Sequence, residues 1–119
     1  MAEVVVVVHP CNDAALSKKA VQQIFLGKEK KFSDGKEVLP VNQAPSSVVR
    51  SAFDTDTLGR SSIQITAYWS KLVFTGKGIP PKELDNDAAV MAIVADNQNT
   101  IGYVDSASIS DAVKVISLN

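Results

Sequence analysis

Val4-Val5-Val6-Val7-Val8-His9-Pro10 is the segment that most constrains the architecture. Five consecutive β-branched residues, stopped at once by a proline, predict a strand buried on both faces. That is the pattern of a parallel sheet covered by helices, and not the alternation of a half-solvated strand. Downstream, Ser17 stands as an N-cap ahead of Ala20, Val21, Ile24 and Phe25, one apolar stripe at helical spacing. Gly27 closes that helix. After the turn cluster Ser33-Asp34-Gly35-Lys36, Val38 to Val41 reads as a second strand, with Pro40 pointing to an edge or to one free side.

Ser47 caps a second helix, whose apolar positions are Val48, Val49, Ala52 and Phe53, closing near Leu58-Gly59. Ser61-Ser62 starts a third, with Ile65, Tyr68, Trp69, Leu72 and Val73 inward. Thr75 to Pro81 reads as a rigid loop. A fourth helix runs from about Asn86 through Val94, then come strands at Ile101–Val104 and Ala112–Leu118. No internal repeat or low-complexity tract interrupts this order. It predicts one α/β domain over residues 1–119, a mixed, mostly parallel sheet flanked by helices.

Composition narrows the function classes. Of 119 residues, 45% are hydrophobic and 21% charged, with a formal net charge of −1, so no basic face for nucleic acid is available. The densest basic stretch, Lys28 to Lys31, contains Glu29 and reads as a solvated helix end. Cys11 is the only cysteine, which excludes an intramolecular disulfide and a thiolate metal site. His9 is the only histidine, and the aspartate spacings fit no calcium loop, so neither a metal nor a cofactor is expected. No run approaches the roughly 18 apolar residues of a membrane span. Met1-Ala2-Glu3 fits a mature exported sequence to which a start methionine has been added, and so carries the expectation of an exported protein.

In a parallel α/β sheet, ligands bind beyond the carboxyl ends of the strands. Polar residues stand at those ends: His9 and Asn12 after the first strand, Asn42 and Gln43 after the second, Asp105 and Ser106 after the third. If the three strands run the same way, the six share one rim. Ser46 and Ser47 add hydroxyls beside the unpaired N–H groups of a helix start, equipment suited to phosphate, sulfate or a carboxylate. Against this, serine is also the ordinary cap of a helix that holds nothing. His9 reads first as a strand-end side chain hydrogen-bonded to a neighbouring carbonyl, and second as a rim donor or general base. A Cys11–His9 nucleophile lacks a third, orienting group, and no supported acid–base pair marks an enzyme. Tyr68, Trp69 and Phe74 read as core before they read as a stacking platform. Gly76-Lys77-Gly78 follows no strand and precedes two prolines, so it is no nucleotide fingerprint.

The run from Leu16-Ser17 through Ile24-Phe25-Leu26-Gly27-Lys28, then Phe32 to Gly35 and Val38 to Val41, resembles the second lobe of phosphate-binding proteins of ABC transporters. Trp69, Phe74-Thr75-Gly76-Lys77-Gly78 and Thr100 to Val104 extend that resemblance over Val4 to Val104, closest to short one-lobe relatives. It implies a type II periplasmic-binding-protein lobe, a periplasmic location, and an anion held partly by a Ser-Gly-Thr at a helix start behind an arginine and an aspartate. Carried over, the serine falls on Ser47 beside Ser46, and the glycine and threonine on Val48 and Val49, where only main-chain N–H groups remain. The arginine's place falls on Asn42 or Gln43, without its charge, and Pro45 stands near the aspartate's. Arg50, one turn into the helix, is not used that way by the family.

The resemblance implies an exported anion binder for uptake or sensing, with a membrane transporter as partner. The lost charges and the missing second lobe favour instead a ligand-free module that contacts another envelope protein. A face-to-face homodimer would restore the enclosure that a single lobe lacks.

Overall fold

The computed structural model describes residues 3–12, 16–32 and 34–116. In chain order the elements are β1 (Val4–Val8), α1 (Lys18–Phe25), β2 (Leu39–Gln43), α2 (Val48–Asp56), α3 (Ser62–Phe74), β3 (Lys82–Leu84), α4 (Asp87–Asp96), β4 (Thr100–Asp105) and β5 (Lys114–Ile116), with a 3-10 turn at Ser106–Ser108. The five strands form one sheet in the order β3-β2-β4-β1-β5. β2 runs parallel to β3 and β4, while β1 is antiparallel to both β4 and β5. Four strands therefore point one way and β1 points the other.

The valine run is buried at Val6 to Val8 and partly buried at Val4 and Val5, close to expectation, but its direction is not as expected. β1 lies between β4 and β5, with Val6 and Val8 in the cluster on one face of the sheet and Val7 in the cluster on the other. Cover on both faces demands the continuous apolar run; it does not specify direction. Pro40 is likewise inside the sheet, since β2 has neighbours on both sides. β3 begins only opposite Val41, however, so beside Pro40 just β4 is present and the missing N–H costs no ladder bond.

Three helices cover one face. Val21, Ile24 and Phe25 of α1, Phe53 of α2, and Ile65 and Trp69 of α3 pack on Val6, Val8, Ile101 and Tyr103. The Phe53 ring stacks on Tyr103 at 3.9 Å between centroids, and Phe25 meets Phe53 edge-on at 4.8 Å. On the other face α4 is the covering helix, with Val90 and Val94 on Val7, Val41 and Val104, and Val113 joins that cluster. Gly102 permits that close approach, because a Cβ there would stand 2.6 Å from Val90 Cγ1 and 3.0 Å from Val41 Cγ2. Helix starts follow the serines: Ser17 accepts from Ala20 N–H, Ser47 from Arg50 N–H, and Ser61 forms a capping box with Gln64. Gly27, at φ +75°, ends α1 and leaves room for the Trp69 ring.

Several helix faces differ from expectation. The buried stripe of α2 is Arg50, Phe53 and Asp54, while Val48 is 73% exposed, because the i, i+3, i+4 set beginning at Arg50 is the one turned to the sheet. On α3, Val73 and Phe74 lie beyond the last turn that meets the core and are 51% and 91% exposed. β3 falls just after the expected 75–81 loop, where the sequence pattern marks no element; it has three residues, two of them exposed, and among the described residues it pairs with β2 alone. On the edge strand β5, Val115 is 43% exposed; Val113 and Ile116 meet the core instead. Ser33, Ser117 and Leu118 lie outside the described residues.

Candidate functional site

The reversed direction of β1 divides the six expected rim residues. Val4 pairs with Asp105 and Val8 with Ile101, so His9 and Asn12 stand at the opposite end of the sheet from Asp105. There His9 Nδ1 accepts from Cys11 N–H at 3.0 Å, and Asn12 Nδ2 donates to the Gln98 carbonyl at 3.3 Å. These bonds close a turn and tie it to the α4–β4 loop. The shared rim holds only for the other four.

At the carboxyl ends of β2, β3 and β4, the starts of α2 and α4 converge. Gln43 is their junction. Its Nε2 donates to Asp87 Oδ1 at 2.7 Å and to the Tyr103 carbonyl at 3.0 Å, and its Oε1 accepts from Ser47 Oγ at 2.9 Å. Asp87, in the first turn of α4, accepts with its other oxygen from Asp105 N–H at 3.1 Å and from Ser108 Oγ at 2.7 Å. Asp105 caps the 3-10 turn through Ala107 N–H, and Ser106 N–H donates to the Glu3 carbonyl. Asn42 is buried, its Oδ1 accepting from the Tyr103 hydroxyl and from Gln43 N–H. Burial pushes the Tyr103 hydroxyl well above the ordinary tyrosine range, so it stays protonated as a donor.

These bonds commit the two side chains at the centre of the junction, Gln43 and Ser47. Both amide hydrogens of Gln43 are used, and Ser47 Oγ gives its hydrogen to Gln43 while accepting from Arg50 N–H. The helix starts add main-chain donors for a ligand. Val48 and Val49 stand in the first turn of α2, and Asp87 and Ala88 in that of α4, where no intrahelical carbonyl precedes their N–H groups. Ser46 is exposed beside them. A depression of about 400 Å³ lies between, lined by Gln43, Ser47, Val49, Asp85, Asn86, Asp87 and Ala88. Its side-chain charges are acidic, while both helix dipoles present their positive ends.

Sequence reasoning missed Asp87 because an acid after an Asn cap is ordinary helix chemistry. It also missed the buried role of Arg50. Arg50 Nη1 donates to the Gln43 carbonyl and pairs with Glu83 of β3, and Nε lies 3.9 Å from Asp54 Oδ2. The i, i+4 spacing of Arg50 and Asp54 was the available signal. Burial raises the Asp54 carboxyl above its ordinary value, against a hydrogen bond from Ser62 and the nearby Arg50 charge. Among the described residues, no group of three or more His, Cys, Asp or Glu side chains is placed to hold a metal.

No family model and no curated protein matches the chain at the sequence level. Solved structures do match. An ABC-type phosphate transport receptor from Vibrio cholerae superposes with a TM-score of 0.77 at 16% identity, over 98% of this chain and 46% of its own. A putative phosphate ABC transporter substrate-binding protein from Clostridium perfringens, solved with bound phosphate, gives 0.77 at 17% identity, over 98% and 45%. PstS from Borrelia burgdorferi gives 0.69 at 12% identity, over 99% and 47%. The fold is that of part of a phosphate-type binding protein, and the chain spans less than half the length of each.

Proposed function

We propose that this chain is a solute-binding lobe for a small oxyanion, phosphate in the first instance, and not an enzyme. The observation that carries the reading is the likeness, over 98% of the chain, to receptors whose own function is phosphate transport. The converging first turns of α2 and α4 support it, with Val48 and Val49 N–H groups as the donors and Ser46 beside them. The acidic rim suits phosphate better than sulfate: at neutral pH phosphate keeps a proton to donate to a carboxylate, and sulfate does not. On this reading the protein is exported and delivers its anion to a membrane transporter. A second lobe, from another copy or an envelope partner, encloses the site.

The test is a thermal-shift titration with phosphate, sulfate and chloride at matched ionic strength. Ligand at a hundred times its dissociation constant stabilises by about 2.7 kcal/mol, several degrees for a domain of this size. The informative variant is Val48→Pro. Proline is tolerated at the first helical position, Ser47 already has the extended backbone that precedes proline (ψ 128°), and only the N–H is lost. Hydrogen bonds to charged groups are worth about 1.5–3 kcal/mol, so phosphate affinity should fall at least tenfold.

A specific observation also favours the ligand-free interaction module. Gln43 and Ser47 satisfy each other and Asp87, which leaves a rim complete without an anion. That reading requires no stabilisation by any anion and the same melting temperature in phosphate and chloride.

A further inference from the structure

A groove of about 500 Å³ lies between the end of β2, α3 and the 75–81 loop, and it shares no lining residue with the rim depression. Its volume falls in the range of small-ligand cavities, about 300–1,000 Å³. Trp69, Val73, Phe74, Pro80 and Pro81 line it with apolar surface, and Arg50 brings a guanidinium to it. Two features mark this surface as incomplete. Phe74 is 91% exposed and Val73 51%, side by side, so the apolar wall lacks a covering group. Arg50 has a side chain only 7% exposed, yet its Nε, like the Nε1 of Trp69, is buried with no hydrogen-bond acceptor. Buried donors of that kind are uncommon in a finished core.

The charged partners of Arg50 are unequal. Asp54 is fully buried and fixed by Ser62, whereas the Glu83 side chain is 48% exposed and rises from a three-residue edge strand. Glu83 is the member that can leave. A carboxylate arriving from solvent can replace it on the guanidinium, whose planar fork suits that geometry. The body of the ligand would then lie along Trp69 and Phe74. A cation would meet the Arg50 charge in the same groove, and an inorganic oxyanion would leave the apolar wall bare. The geometry points to a second ligand site, in which this groove takes an organic carboxylate with a flat apolar body, held by Arg50 in place of Glu83.

Trp69 is the only tryptophan, so its emission reports directly on the groove. The experiment is a fluorescence titration of the full chain with phenylacetate, with phenylacetamide and inorganic phosphate as comparison ligands. A saturable change with phenylacetate is expected, at least tenfold weaker with the neutral amide and absent with phosphate. Glu83→Gln should tighten phenylacetate several-fold by freeing the guanidinium, and Phe74→Ala should weaken it several-fold without lowering the melting temperature. Neither side chain is buried, so both variants should fold. The site is overturned by no saturable change in either wild type or Glu83→Gln, by equal affinity for acid and amide, or by weaker binding in Glu83→Gln. An equal response to phosphate would remove the apolar body from the requirement and overturn the proposal as stated.

Discussion

The rim depression and the groove beside α3 lie on either side of Gln43 and Arg50, and they treat polar groups in opposite ways. At the rim between α2 and α4, Gln43, Ser47, Asp87, Asp105 and Ser108 bond to one another, and the first-turn N–H groups stand beside that network. In the groove beside α3, a buried guanidinium and an indole keep donors without acceptors, next to an exposed phenylalanine. Polar residues at strand ends are therefore not by themselves a binding site. Their bonds must be counted before they are assigned to a ligand, because a satisfied network is scaffold.

The largest effect should come from the floor beneath both regions. Phe53→Ala removes the ring stacked on Tyr103, whose hydroxyl and carbonyl hold Asn42 and Gln43. A loss of about 3–5 kcal/mol is expected in urea denaturation. A loss under ~1 kcal/mol would detach the rim from the core. Next, Asp87→Ala leaves Gln43 Nε2, Asp105 N–H and Ser108 Oγ without their shared acceptor, and about 2 kcal/mol should be lost. Ser47→Ala should cost about 1 kcal/mol as a lost cap, yet change phosphate affinity little, since that hydroxyl is already committed. A large drop in affinity with little loss of stability would reverse the assignment. Phe74→Ala in the groove should stay within about 0.5 kcal/mol of wild type, sharpening the contrast with Asp87.

The smallest effect is a pH dependence. The Asp54 carboxyl is raised by burial, so the folded chain holds a proton that the unfolded chain has released. Its contribution is complete below the ordinary aspartate value, about 3.9. It is lost as pH rises through the raised folded value. Urea midpoints across that window should fall less steeply in Asp54→Asn than in wild type.

Much of the fold was legible in the sequence. Ser17, Ser47 and Ser61 mark their helix starts, Gly27 its stop, and the valine run its burial, because each is a local signal with a local cause. Strand direction was not legible, since β1 would carry the same five valines in either orientation under two layers of helix. That ambiguity placed His9 and Asn12 at the wrong end of the sheet. Lys82-Glu83-Leu84 gave no strand signal, being short and half solvated at the edge, and with it the partner of Arg50 was hidden. At the candidate site the position of Ser47 was readable from its cap role. The engagement of its hydroxyl by Gln43 was not, because that bond depends on the turn between β2 and α2.

The most direct test is an amide NMR titration of the full chain with phosphate. The expected result is saturable movement of the Val48, Val49 and Ala88 amides, with the Trp69 indole resonance unmoved. No movement in the first turns of α2 and α4, or the largest shifts at Trp69 and its neighbours, would contradict an anion site at the helix starts.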